Sequence, residues 1–227
     1  MAAEFDPYAD RYEELVQDSI AFSGLDQSFF LAARARHLVD VTRRLVGDPA
    51  TVRALDVGCG GGLNHPHLRK LGRLEGIDIS EPMIETARQR NPDVEYHVGD
   101  GTRLPFEDAA FDLAFTACVL HHVPFDERDT FARELGRVTR TGGLVVVFEH
   151  NPLNPLTRLA VHRCAFDEDA VLLGRREARR RLGDAGLRPE EDRYILFFPW
   201  QGRLFVRAEK ALARLPAGAQ YYVAARS

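Results

Sequence analysis

The sequence predicts an α/β fold built on a doubly wound, mostly parallel sheet. Short apolar runs alternate with helix-spaced segments between residues 52 and 148. The runs are apolar nearly throughout, as expected of strands covered on both faces. Carboxylates and glycines follow the ends of successive runs, the edge at which open parallel sheets bind ligands. With 227 residues, 45% of them apolar, the chain is long enough to bury the core of one larger domain.

The elements follow in order. Residues 8–18 and 27–46 carry helical spacing, the second with Phe30, Ala33, His37, Leu38, Val41 and Leu45 on one side, and Gly47-Asp48-Pro49 stops it. Val52–Val57 reads as a buried strand, Leu63–Leu71 as a helix and Leu74–Ile79 as the second strand. Glu81–Gln89 reads as a helix opened by Ser80, with Pro82 in its first turn. Val94–Val98 and Phe111–Ala117 are strands, Asp126–Thr139 a helix, and Leu144–Phe148 a strand of five apolar residues after Thr141-Gly142-Gly143. The rhythm then breaks over 151–169, which mixes prolines, aromatics and polar residues with only weak helical spacing. Val171–Leu187 reads as a helix ending at Gly186, and Tyr194–Phe198 and Tyr221–Ala225 as strands that finish the sheet antiparallel, since few residues are left for crossovers. One domain is expected: a helical cap over 1–48, a core over 49–150, an insertion covering a substrate pocket over 151–170, and a final helix and strands over 171–227.

Composition excludes several classes. Thirty Lys and Arg against 34 Asp and Glu give a net charge of −4, so no bulk basic field exists for nucleic acid. No apolar run reaches the roughly 18–20 residues that span a bilayer. The opening Met1-Ala-Ala-Glu-Phe-Asp has neither the positive nor the apolar region of a secretory signal. Cys59, Cys118 and Cys164 are too far apart for a zinc pattern and make no disulfide framework, so a cytoplasmic setting and no metal site are expected. Only Lys70 and Lys210 are lysines, which suggests a GC-rich coding genome. The arginine run 175–181 is interleaved with a buried side (Leu172, Leu173, Leu182, Ala185) and reads as a solvated helix face.

The strongest signal is Asp56-Val57-Gly58-Cys59-Gly60-Gly61-Gly62-Leu63, a strand end running into a glycine loop. Glycines allow a tight turn and a close backbone approach to a ligand. A dinucleotide fingerprint counted from Gly58 requires glycine where Leu63 stands, and the Gly-Lys-Ser/Thr of a nucleoside-triphosphate loop is absent. Asp56, at the strand end, disfavours a diphosphate and suits a ligand carrying ammonium or sulfonium charge. Asp78 closes the second strand, about where an acidic residue grips ribose hydroxyls. Asp100-Gly101-Thr102 follows the third strand, and Cys118-Val119-Leu120-His121-His122 the fourth.

These motifs resemble the class I S-adenosylmethionine-dependent methyltransferases, in particular the type 11 small-molecule group, over roughly residues 50–150. The string Phe148-Glu149-His150-Asn151-Pro152-Leu153-Asn154-Pro155-Leu156-Thr157 is similar to a bacterial subgroup. The resemblance implies a Rossmann-like seven-stranded sheet of order 3-2-1-4-5-7-6 with the last strand antiparallel. It implies S-adenosylmethionine as cofactor and S-adenosylhomocysteine as product. Gly58, Cys59, Gly60 and Gly62 then form the loop under the methionine part, with Asp56 near its amino group. Asp78 takes the ribose hydroxyls, Ile79 packs on adenine, and Asp100 and Gly101 read the adenine edge. Cys118 and Leu120 lie beside the methionine moiety. The opening segment Phe5-Asp6-Pro7-Tyr8-Ala9-Asp10-Arg11-Tyr12 folds over the cofactor, with Tyr8 and Tyr12 as lid contacts, and Arg34 or Arg36 meets its carboxylate.

A hydroxyl acceptor needs its proton removed, and histidine suits that task near neutral pH. His150 is the leading candidate, flanked by Glu149 and Asn151, with His121 and His122 next; His65 and His67 are expected at the surface or in packing. The implied partner is a small molecule, a sugar or a secondary metabolite of natural product biosynthesis. No membrane or nucleic acid is expected, and the protein would be a monomer or homodimer. A protein that binds the cofactor for another reaction or for regulation, and an RNA methyltransferase, are the alternatives.

Overall fold

The computed structural model describes residues 6–200 and 202–227; the expected role of Phe5 in the opening segment lies outside the described residues. Seven strands make one sheet in the order β3-β2-β1-β4-β5-β7-β6. They are β1 Arg53–Val57, β2 Arg73–Asp78, β3 Glu95–Val98, β4 Phe111–Ala117, β5 Thr139–His150, β6 Arg188–Ile195 and β7 Gln220–Arg226. The first five pair in parallel, and β7 runs antiparallel to both β5 and β6. The α-helices are α1 Tyr12–Ile20, α2 Gln27–Leu45, α3 Glu81–Arg90, α4 Arg128–Val138, α5 Pro155–Arg163, α6 Arg175–Asp184 and α7 Arg203–Leu212. Of the two final strands only β7 is reversed, because α6 carries the chain across between β5 and β6 and keeps β6 parallel. No described helix is long and apolar enough to cross a membrane.

Alternation along the central strands builds a core on each face of the sheet. Leu144, Val146 and Phe148 of β5 pack with Ala33, Leu38 and Val41 of α2. Val145 and Val147 face the other way, toward Phe131 and Leu135 of α4 and Ala178 and Leu182 of α6. This two-sided burial explains why these strands read as unbroken apolar runs.

Three local expectations are corrected. Leu63–Leu71 is not a helix; only a 3-10 turn at His65–His67 forms. Pro66 has no N–H to continue a helical ladder and restricts His65 before it. The Gly61 and Gly62 carbonyls are instead capped from α3 by Arg90 and Asn91. The sixth strand begins at Arg188 rather than Tyr194: its polar first half pairs with β7 on one side only, and a charged edge strand carries no apolar pattern. The amphipathic α7, between β6 and β7, was not expected. The helix expected over Val171–Leu187 is α6 and begins at Arg175. Its arginines are largely engaged: Arg175 and Arg179 pair with Asp192, and buried Arg181 with Asp129 and Glu177.

The edge strand is fastened through Glu191. Arg44 of α2 binds it with two N–H groups at 2.8 and 2.9 Å, Arg193 donates at 2.8 Å, and the Tyr222 hydroxyl donates to it as well. Burial pushes the carboxyl up, but hydrogen bonds from Arg44, Arg193 and Tyr222 outweigh it and hold Glu191 down at about 2. A depressed carboxylate stabilises the fold above its unfolded pKa, and that gain is lost as pH falls through the folded value. Wild type is therefore expected to exceed Glu191→Gln in stability by a constant margin at pH 6–8. The margin should close between roughly pH 4.5 and 2, as read by urea denaturation across pH. A margin independent of pH would remove the ion pairs as its source.

Candidate active site

The glycine loop turns between β1 and β2 and is shaped from two sides. From the sheet, the Gly58 and Cys59 N–H groups both donate to the Ile77 carbonyl, at 2.8 and 3.1 Å. Gly58 has φ +78°, and a Cβ there would stand 2.4 Å from Val119 Cγ2, so only glycine fits. From below, a buried polar chain supports the loop: Asp56 Oδ2 lies 3.0 Å from His65 Nε2, His65 Nδ1 meets the Tyr96 hydroxyl, and Asn91 Nδ2 donates to both Tyr96 Oη and the Gly62 carbonyl at 3.0 Å.

This chain relocates three expected site residues. Asp56 is 1% exposed and faces His65, not the ligand edge. Cys59 packs with Ile84, Ala87 and Tyr96 under the loop. Gly62 faces Asn91 and Tyr96, where a Cβ would meet each at 2.7 Å. The cause is shared: without a helix after the loop, residues 62–65 fold back beneath it and occupy the space on that side.

Above the loop lies a cleft of about 870 Å³ of open space. Gly58, Gly60, Asp78 and Ile79 line one part, with Asp100, Gly101 and Thr102 beside them. Tyr12, Cys118, Val119 and His122 complete the lining. Asp78 Oδ2 accepts from the Gly60 N–H at 2.7 Å and Oδ1 from Ser80 N–H at 3.0 Å. Burial raises its pKa against these two bonds. Each oxygen keeps a further lone pair for a ligand hydroxyl. Asp100 Oδ1 accepts from Thr102 N–H and Oγ1 and from Arg103 N–H, which fixes its turn, and the Thr102 hydroxyl leads the causes that lower its pKa.

The N-terminal segment closes over this edge. Ser80 Oγ donates to Asp6 at 2.7 Å, and Tyr12 stacks on Phe166 with ring centroids 4.8 Å apart. Tyr8 reaches Phe166 at 5.9 Å but does not line the cleft. Of the two α2 arginines, Arg36 turns to Glu209 of α7 at 3.1 Å, whereas Arg34 Nη1 donates to Cys118 Sγ at 3.2 Å and its Nε is buried without a partner. Cys118 has φ +59°, a strained conformation for a residue with a side chain, held by its N–H to the Phe148 carbonyl. The neighbouring Leu120 is buried, its N–H donating to Glu149 at 2.7 Å.

The three candidate histidines separate. His122 is on the cleft wall, its Nε2 3.1 Å from Asp167 Oδ1. His121 is buried behind it between Glu149, 2.7 Å from Nδ1, and Asp167, 3.6 Å from Nε2. Burial pulls His121 down, but the charge of Glu149 and the contacts with Asp167 and Glu149 prevail and lift it to about 10. His150 does not line the cleft: it ends β5 in register with Gln220 and lies against the His121 ring at 5.2 Å. Burial, then the charge of His121, hold it down at about 4. Glu149 and Asp167 are both pulled below the usual carboxylate range, burial being outweighed by His121 at Glu149 and by His121 and His122 at Asp167.

Asp167 had no signal in the sequence. It stands in the acidic run Asp167-Glu168-Asp169, whose other two members are exposed. Only the fold of 151–170, capped by Asn154 at the start of α5 and pinned by Asn151 and Thr157 to the 216–219 backbone, turns it inward.

Residues 55–147 match the family model described as "Methyltransferase domain". Over this stretch the chain carries the domain of the class I S-adenosylmethionine-dependent methyltransferases, type 11 group. S-adenosylmethionine is the cofactor that goes with this family. The domain is 34% identical over 130 residues to a malonyl-[acyl-carrier protein] O-methyltransferase of Serratia marcescens, an alignment covering 56% of this chain and 49% of that one. It is 31% identical over 150 residues to a 27-O-demethylrifamycin SV methyltransferase of Amycolatopsis mediterranei, covering 61% and 54%. The methyltransferase thus spans about half the length of these curated relatives. In fold it is similar to a Thermotoga maritima methyltransferase described as a possible histamine N-methyltransferase, with a TM-score of 0.70, 20% identity, and coverage of 100% and 99%.

Proposed function

We propose that this methyltransferase transfers the methyl group of S-adenosylmethionine to a hydroxyl oxygen of a small molecule, a sugar or secondary metabolite. The carrying observation is the cleft itself: the Gly58–Gly60 backbone, Asp78 and Asp100 stand at successive parallel strand ends, and His122 lines the same cleft. The cofactor fits this frame. A Cβ at Gly60 would meet nothing within 4 Å, so the loop leaves room for the ligand's methionine part. Asp78 and Asp100 are placed for the ribose and the adenine edge, and Arg34, with a buried unpartnered Nε, is the α2 cation at this end of the site. S-adenosylmethionine, when bound, supplies an electrophilic methyl on a sulfonium. The chain then has to hold the acceptor in line and exclude water. Tyr12 and Phe166 cover the edge, and His122, paired with Asp167, is positioned to hydrogen-bond the acceptor hydroxyl.

The relative that acts on a 27-O-demethylated rifamycin supports a hydroxyl acceptor in natural product chemistry. The engagement of the α6 arginines counts against RNA. The free cysteines agree with a cytoplasmic setting. The test is incubation with methyl-labelled cofactor and small-molecule extracts. Label should appear in a small hydroxylated product together with S-adenosylhomocysteine. In His122→Ala turnover should fall at least roughly tenfold, the loss of one positioning contact, with S-adenosylhomocysteine affinity unchanged. Tight cofactor binding with no labelled product from any extract would favour a role other than transfer.

A further inference from the structure

The cluster behind His122 buries two carboxylates among imidazoles. Glu149 is fully buried and Asp167 is 8% exposed. Among the described residues neither forms an ion pair with lysine or arginine; their partners are His121 and His122. Arg34 spends its Nη1 on Cys118. A buried carboxylate oxygen left without a partner is costly in a low-dielectric interior.

The same groups have the spacing of a metal site. One ligand atom each from His121, His150 and Asp167 lies within 4.8 Å of the others. Ligands about 2.0–2.1 Å from a tetrahedral zinc sit about 3.4 Å apart, so small side-chain rotations close the site. Glu149 Oε2 lies 2.7 Å from His121 Nδ1, leaving Nε2 toward Asp167. A carboxylate behind the far nitrogen is the outer arrangement that orients metal-bound histidines. Asp167 Oδ1 is buried with no hydrogen bond of good geometry, although two imidazoles stand near it. The comparable grouping of Glu75, Glu95 and His97 is different, because Arg53 and Arg73 already pair its carboxylates at 2.7–3.1 Å.

We propose that His121, His150 and Asp167 bind one divalent transition-metal ion of the zinc class, Zn²⁺, leaving a fourth position for an oxygen ligand. Asp167 also touches His122, which lines the cleft, so through that carboxylate the ion acts on the imidazole proposed to hold the acceptor hydroxyl. This role rests on the methyltransferase reading; metal binding itself does not.

The test uses the full chain after treatment with a chelator. Titration with Co²⁺ should produce the visible absorption of a low-coordinate site at one equivalent, and Zn²⁺ should displace it. Glu149→Gln should bind Co²⁺ about 10–100-fold more weakly. His150→Ala and Asp167→Asn should lose the absorption while keeping their thermal midpoints. No absorption in wild type, or equal Co²⁺ binding in the His150 and Asp167 variants, overturns the site. Calorimetry with S-adenosylhomocysteine on the metal-free protein reports separately on the cofactor reading: binding there without Co²⁺ absorption refutes the metal site alone.

Discussion

A Gly60→Val variant is expected to lose S-adenosylhomocysteine binding by at least about a hundredfold. Gly60 has φ +51°, and a β-branched residue in that conformation is strained by about 1–3 kcal/mol. Its Cβ would meet no protein atom within 4 Å, because that space belongs to the cleft. The valine branches would stand where a ligand must touch the backbone, and relief of strain would move the N–H that Asp78 receives at 2.7 Å. Calorimetry measures the loss, and a thermal melt shows whether the fold is retained. Affinity within threefold of wild type would place the ligand elsewhere. Gly58 is a poorer test, since a Cβ there clashes with Val119 and perturbs the fold first.

Asp78→Ala is expected to weaken S-adenosylhomocysteine binding roughly a hundredfold. A carboxylate holding ribose hydroxyls makes charge-assisted hydrogen bonds worth about 1.5–3 kcal/mol each, and every 1.4 kcal/mol is about tenfold in affinity. Asp78 also accepts the Gly60 and Ser80 N–H groups, so its loss unfastens the loop that faces the ligand. Asp78→Asn keeps one acceptor oxygen and should lose less, about tenfold. An unchanged dissociation constant in both variants would remove Asp78 from the site, and protection of the wild type by NADH instead of S-adenosylhomocysteine would overturn the choice of cofactor.

Much of the site was legible because parallel sheets put their functional groups in a regular place. Each strand end carries its own local signal: glycines after β1, Asp78 closing β2, Asp100-Gly101 after β3, Cys118 and the histidines after β4. Their convergence follows from topology alone. The start of α5 was also written locally, since Asn154-Pro155 is an N-cap followed by proline, although the weak apolar spacing hid the helix. The parallel core of the sheet follows from the same alternation of runs, whereas its strand order came from the family resemblance.

Other features depended on contacts between residues distant in the chain. Asp56 reads as a ligand group because it ends a strand beside glycines; His65, Tyr96 and Asn91, from three other segments, draw it beneath the loop. His150 reads as a base because it follows β5, yet burial against His121 takes it off the cleft wall and leaves His122 there. Arg36, one of the two α2 arginines, is drawn off by Glu209, which lies on a helix the sequence did not announce. The cluster of His121, His150 and Asp167 has no sequence spacing at all, since its members come from the ends of two strands and from an acidic turn after α5. Local patterns in the sequence determined the fold class and the candidate ligand edge, because period and end-residue chemistry act over a few neighbours. Tertiary structure alone decided which side of that edge each polar group faces, because a buried polar atom turns toward whichever partner satisfies it, and that partner is supplied by a distant part of the chain.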